Sequence, residues 1–320
     1  MEAASKLSAF AKYARFVVVW NLVVILWGVF LRASKSGDGC GQHWLTCQGE
    51  VIPSAPQLKT AIEYSHRITS FLAFVAVLTL LIWTHRKFEK GTAIRKTALL
   101  SFIFVVTEAL VGAGLVLTGN TAETLTAARP FWMAGHLINT FILLAFLTLT
   151  ARYACGSATF VRVAAKYKTA IAIGALAIII VGITGSIAAL ASMLFPSGTL
   201  TEGMAADFSS ASHMLLRLRL LHPITAILTS VFVVFLTGWL VRESGSDAGV
   251  KRWSNVISLL VLGQIAFGSL TLFMLAPIVM QLGHLFLADA IWITYVLLSA
   301  RFLSVGAAAP IEAAVDEIVE

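Results

Sequence analysis

Residues 97–118 read TALLSFIFVVTEALVGAGLVLT, a run in which Glu108 is the one charged side chain. As a helix rising 1.5 Å per residue the run is about 33 Å long, enough to cross a hydrocarbon core of roughly 30 Å. A helix is also the form that satisfies its own backbone in lipid. Working outward, runs of the same kind recur at 14–31, 62–83, 131–151, 169–194, 212–241, 254–275 and 278–300, which makes eight. The whole chain agrees with them: 320 residues, 58% apolar, 12% charged, with a mean hydropathy of +0.89. Soluble chains carry about 25% charge, so soluble, disordered, collagenous and disulfide-scaffold classes fall away. A membrane barrel needs alternating strands of about ten residues, which are absent. The expected fold class is an all-α integral membrane protein with eight transmembrane helices in a lipid bilayer. The sixth run is long and is expected to begin outside the membrane.

The formal charge of +7 is read as a topology marker and not as a nucleic-acid footprint, so no nucleic-acid partner is expected. Lys6, Lys12, Arg15, Arg86, Lys87, Lys90, Arg95, Lys96, Arg152, Arg162, Lys166, Lys168, Arg242, Lys251, Arg252 and Arg301 fall on one side, 16 of the 23 basic residues. The other side keeps Arg32, Lys35, Lys59 and Arg129 in its loops, with Arg67, Arg217 and Arg219 just inside helices two and six. Both termini are therefore expected in the cytoplasm. The first apolar run is as long as a spanning helix and no small-residue cleavage site follows it, so no cleavable signal is expected. The tail, with Glu312, Asp316, Glu317 and Glu320, reads as a solvated acidic end.

The two halves repeat. A shift of 156 residues carries His66 onto His222, and Glu108 with Gly112 onto Gln264 with Gly268; a shift of 148 carries Gly135-His136-Leu137 onto Gly283-His284-Leu285. Units of four helices are parallel repeats, related by a pseudo-two-fold along the membrane normal. The expected organisation is two tandem four-helix bundles, 1–160 and 161–303, and a tail, 304–320.

His66, His136, His222 and His284 lie on the four even helices, each roughly 5 to 10 residues from the outer helix start, or on the order of 7 to 15 Å deep. Two imidazoles at one depth on neighbouring helices approach an iron from opposite sides, so each half would hold one heme. A single intramembrane histidine is ordinarily a packing residue; four at repeat-related positions mark function. His85 reads as a snorkelling interface residue, His43 as solvated, and His213 as a shallow competitor of His222 that the repeat does not match. Cys40 and Cys47 share the first outer loop, where an oxidising compartment favours a disulfide, either a structural staple or a redox-active or heme-passing pair. Cys155 reads as an inert thiol.

Glu63 precedes His66 by three positions and lies on the same helix face. It acts on a heme substituent, stabilises a cationic intermediate, orients the imidazole, or merely complements the helix dipole. Arg67, Arg217 and Arg219 suit heme propionates, or else anchor the interface. Arg219 stands at the position that the repeat matches to Glu63, so the halves have diverged into one chemically active site and one electron-transfer site. Glu108 and Asp289 are intramembrane acids, for proton conduction or helix pairing.

Glu63-Tyr64-Ser65-His66-Arg67, the loop Gly37-x-Gly39-Cys40-Gly41-x-x-Trp44-x-x-Cys47, and His136, His222 and His284 together resemble heme A synthases over nearly the whole chain. The resemblance implies oxidation of the methyl group of heme O to the formyl group of heme A by successive hydroxylations, for cytochrome oxidase. It implies a heme b cofactor between His222 and His284, substrate heme between His66 and His136, Glu63 as a catalytic carboxylate, and a Cys40–Cys47 disulfide that assists folding or heme handling. The implied partners are heme O synthase, the farnesyltransferase upstream, and cytochrome oxidase assembly downstream. The N-terminus lacks a transit peptide, which points to a bacterial plasma membrane. The chain departs from the family in two places. Residues 195–211 hold no second cysteine pair, and His222 is followed by Pro223 where arginine is often found, which predicts a perturbed helix there. The alternatives are a bis-histidine two-heme membrane electron carrier of cytochrome b type, and a repeat-built transporter that relays protons.

Overall fold

The computed structural model describes residues 7–307, so Lys6 and the acidic side chains of the tail lie outside the described residues. The described residues form ten helices: α1 (Ala9–Ala33), α2 (Leu58–Lys87), α3 (Ala93–Leu117), α4 (Arg129–Ala154), α5 (Ala165–Leu194), α6 (Leu200–Phe208), α7 (Met214–Arg219), α8 (Leu221–Glu243), α9 (Ala248–Phe273) and α10 (Ile278–Val305). Taking α7 and α8 as one, eight spans are long and apolar enough to cross a membrane, matching the eight runs read from the sequence. They reach several residues further at most ends, because capped polar turns are helical too. Ser8 accepts from the Ala11 amide at 3.1 Å, Asp247 accepts from the Val250 amide at 2.9 Å, and Pro130 sits in the first turn of α4.

Two details depart from the apolar pattern. The sixth run is not one helix: α7 ends at Arg219 and α8 restarts at Leu221. Pro223 is the cause, since it has no N–H for the Arg219 carbonyl and its ring crowds that carbonyl. The second is α6, a nine-residue helix in the outer segment before α7, capped by Thr199 accepting from the Glu202 amide.

In the first half α1 packs on α2, α2 on α3, α3 on α4 and α4 on α1, a closed ring. In the second half α5, α8, α9 and α10 close the same ring. Across the seam α4 packs on α5, α1 on α10, and α4 on α10. Exchanging the halves leaves this neighbour pattern unchanged. The spans of α4 and α10, at the seam, are the most buried of the eight.

The seam is a core in its own right. Phe141 and Leu144 of α4 join Ile291, Trp292, Tyr295 and Leu298 of α10 and the interior of the second half in one apolar cluster. The Phe141 and Trp292 rings stack with centroids 5.1 Å apart, and the Trp292 indole N–H donates to the Phe141 carbonyl at 2.7 Å. That bond satisfies a polar group which lipid-like surroundings would leave costly. A second cluster, with Phe10, Val17, Val77, Leu80 and Leu147, fills the first half.

Candidate functional site: paired histidines

In each ring the even helices are diagonal neighbours: α2 faces α4, and α8 faces α10, with no direct packing between them. Side chains directed inward along such a diagonal meet near the ring centre. The His222 and His284 rings do so, with centroids 6.1 Å apart and planes at 89°. Two in-line metal–nitrogen bonds of about 2 Å plus roughly 1.1 Å from each nitrogen to its ring centre would span about 6.2 Å, a length the centroid separation matches. Among the described residues no three His, Cys, Asp or Glu side chains gather into a metal cage.

The surroundings are cut to fit the rings. A Cβ on Gly185 of α5 would stand 2.9 Å from His222 Cε1, and one on Gly268 of α9 would stand 2.8 Å from His284 Cε1. Thr184 Oγ1 lies 3.4 Å from His222 Nδ1 and 3.0 Å from Thr225 Oγ1, which leaves His222 Nε2 for another partner. Gln264 donates to the His284 carbonyl at 3.1 Å and lies 3.3 Å from its Nε2, while His284 Nδ1 is buried with no hydrogen-bond partner.

The first half repeats the plan with altered chemistry. A Cβ on Gly28 of α1 would stand 3.0 Å from His66 Cε1, as Gly185 does from His222. Glu108 of α3 stands where Gln264 stands on α9, and its Oε1 is 3.5 Å from His136 Nδ1. That separation is an ion-pair approach and not an aligned hydrogen bond, so Nδ1 of His136, like that of His66, is a buried nitrogen without a hydrogen-bond partner. Asn139 Nδ2 donates to Glu108 Oε2 at 2.5 Å, and Thr140 Oγ1 donates to Oε1. Glu108 is thus fixed by α4 beside the histidine, a role that spacing alone left open. Gly112, the counterpart of Gly268, faces open space.

Glu63 is 3% exposed and both of its oxygens are engaged. Oε2 accepts from the Cys40 amide at 2.8 Å, and Oε1 pairs with Arg67 Nη2 at 2.5 Å. Arg67 Nη1 donates to the carbonyls of His43, Trp44 and Thr46 at 2.5, 3.1 and 2.8 Å. The Cys40–Cys47 disulfide is formed, and Thr60 and Gln48 both donate to the Gly39 carbonyl. Glu63 and Arg67, on either side of His66 in the sequence, therefore clamp the disulfide loop onto the N-terminal part of α2.

Arg219 donates to Asp207 of α6 at 2.8 Å and to the Gly203 carbonyl at 3.1 Å, so the pair belongs to the outer cover of the second half. Arg217 is exposed. The partners of Arg219 lie in α6, which hydropathy did not mark, so this pairing was not legible beforehand. His213 caps α7 through Nδ1, 3.2 Å from the Leu215 amide, and stacks on Phe195. His85 Nδ1 lies 2.9 Å from the Leu81 carbonyl at the far end of α2, away from the paired histidines. Cys155 is a free, exposed thiol. Asp289 is wholly buried on α10 with neither oxygen partnered.

A family model described as cytochrome oxidase assembly protein, COX15-CtaA, matches residues 11–296. A protoheme IX farnesyltransferase of Thermus thermophilus is 42% identical over 301 residues, 94% of this chain and 49% of the relative. Heme A synthases of Halalkalibacterium halodurans and of Exiguobacterium sp. AT1b are 37% and 36% identical over 126 and 107 residues, 39% and 33% of this chain and 42% and 36% of the relatives. The chain thus spans about half the length of the curated relatives it matches. Eight membrane-length helices with histidine pairs on their diagonals accompany a match over nearly the whole sequence, and the chain belongs to the COX15-CtaA family.

Proposed function

We propose that this chain is a heme A synthase, oxidising the methyl group of heme O to the formyl group of heme A by successive hydroxylations. In this reading the second half, 161–303, holds a heme b between His222 and His284, and the first half, 1–160, receives the substrate between His66 and His136. The observation that carries it is the pairing of His222 and His284 across a ring diagonal, joined in the first half to the buried carboxylate Glu63 at the position where the second half has Arg219. A heme held in the second half would supply one-electron chemistry that amino-acid side chains lack. Glu63 and Arg67 would hold the disulfide loop over the substrate and exclude water, with Glu63 the polar group next to the reacting edge. Glu108, fixed beside His136, would set the orientation of that imidazole.

The Thermus relative is twice as long as this chain and is named for farnesyl transfer to protoheme. The heme A synthase relatives and the family match favour oxidation over prenyl transfer for the segment in hand. Heme O synthase is then the source of substrate and cytochrome oxidase assembly the destination of product. The distribution of basic residues favours both termini in the cytoplasm.

Co-expression with a heme O synthase, followed by chromatography of extracted hemes, tests the reading. Heme A should appear with the intact chain and disappear with Glu63→Ala or His222→Ala. Heme b alone, at two per chain, would establish a bis-histidine electron carrier instead, and absence of heme would overturn both.

A further inference from the structure

The arginines expected to meet carboxylates in the first half are already committed: Arg67 is held by Glu63 and three loop carbonyls. Two other guanidinium groups in that half have no carboxylate partner among the described residues. The guanidinium of Arg32, half-buried in the last turn of α1, makes no hydrogen bond or ion pair among the described residues. α1 packs on α4, and a Cβ on Gly37 would stand 3.4 Å from the Ala122 amide nitrogen and 3.6 Å from Leu31 Cδ2, which brings the end of α1 against the loop whose Ala122 carbonyl Arg129 holds. Arg129 is 2% exposed, donates to the Ala122 and Thr124 carbonyls, both at 2.5 Å, and keeps a buried Nε with no partner. The nearby acids are spoken for: Glu123 pairs with Lys35 at 2.5 Å, and Asp38 faces Lys59 at 3.8 Å. Two guanidinium groups brought together in partly buried surroundings without a counter-ion are unfavourable, and an anion relieves both.

Their positions point at the histidines. Arg32 lies four residues from Gly28, one turn outward on the same face of α1, and Gly28 is the residue against the His66 ring. Arg129 lies seven residues from His136, two turns outward on the same face of α4. At 1.5 Å per residue the arginines stand about 6 and 10 Å outward of those levels. Counted from Gly185, which meets His222 as Gly28 meets His66, the counterpart of Arg32 is Ala189, and the shift of 148 carries Arg129 onto Pro277, so the feature belongs to the first half alone.

We propose that Arg32 and Arg129 form a dicarboxylate clamp that receives the two acidic side chains at the edge of a porphyrin lying between His66 and His136. The inference rests on the first half binding such a macrocycle, and its test separates the two. Hemin and hemin dimethyl ester are titrated into the detergent-solubilised full chain by Soret absorbance, with the first-half component defined as the one lost in His66→Ala. The clamp predicts that the free acid binds at least about tenfold more tightly than the ester at that component. In Arg32→Gln the preference should vanish while ester affinity stays; the Arg32 guanidinium makes no internal bond, so its loss leaves the fold intact. Arg129→Lys, which keeps a charge without the fork, should lose part of the preference. Hemin bound with no acid preference, or a preference that survives Arg32→Gln, overturns the clamp and leaves the heme reading standing. No His66-dependent component for either ligand overturns both.

Discussion

Glu63 and Arg219 stand 156 residues apart at corresponding positions of the repeat, and each ties down the outer segment that precedes its own helix. Glu63 takes the Cys40 amide of the disulfide loop, and Arg219 takes Asp207 of α6. The charge is opposite and the mechanical task is the same.

Glu63→Ala should release the loop. It leaves the Cys40 amide without its acceptor and Arg67 without its partner. Breaking a buried pair costs about 3 to 5 kcal/mol, here at the lower end because Arg67 keeps three carbonyls. Reduction of the Cys40–Cys47 disulfide by dithiothreitol, followed by maleimide labelling, should be several-fold faster than in wild type. Glu63→Gln retains an acceptor for the amide and should fall between. Equal rates in all three would show that the loop does not depend on this carboxylate.

Gly28 and Gly185 should tolerate no side chain. Val at either position would press on an imidazole ring that a Cβ already meets at 3.0 or 2.9 Å. Overpacking of this kind costs about 1 to 3 kcal/mol and turns the ring from its position. Gly185→Val should lower the heme retained by purified protein, read as pyridine hemochrome per chain. Gly28→Val should leave that retained fraction unchanged and abolish heme A formation. Gly112, which faces open space, should accept Ala with neither effect.

The eight spans were legible because lipid imposes length and apolarity on every residue of a run, and the four histidines because a repeat doubled a weak signal. Contacts made by long side chains were not. Arg67 looked like a propionate ligand from its place beside His66, but loop carbonyls claim its guanidinium. Arg32 and Arg129 were read as topology markers in outer loops, since sequence does not show that two arginines 97 residues apart share one corner. The helix break was half legible: Pro223 gave the disturbance at His222, and only the structure put the restart at Leu221.

Pro223→Ala should mend that break. The new amide could donate to the Arg219 carbonyl and join α7 to α8, and hydrogen exchange should show added protection across residues 219–224. Joining the helices would also re-aim Arg219 and His222, so the absorption spectrum of a heme held between His222 and His284, as proposed, should shift. Protection without a spectral change would mean that the break does not set the imidazole.

Asp247 offers a control remote from the histidines. Its hydrogen bonds to the Arg301 guanidinium, at 2.9 and 2.7 Å, hold its carboxyl below the usual carboxylate range, helped by the Val250 amide that it caps. A depressed folded-state pKa gives stability that is present above the unfolded value of about 3.9 and is lost as pH falls through the folded value. Asp247→Ala should therefore lower the melting temperature at pH 7 by an amount worth about 1 kcal/mol, mostly the lost cap. The difference from wild type should narrow below pH 4. A difference that does not change with pH would assign the whole effect to the cap.

The seam helices α4 and α10 each carry one imidazole, His136 and His284, and pack on each other through the stacked Phe141 and Trp292. The gap between the two histidine pairs is therefore set by a rigid partition that both halves share. Neither half can widen it or close it alone. Were both pairs to hold a heme, as proposed, the span an electron would cross between them would be set when the chain folds, leaving the loop at α2 and the cover at α8 as the segments free to differ between the halves.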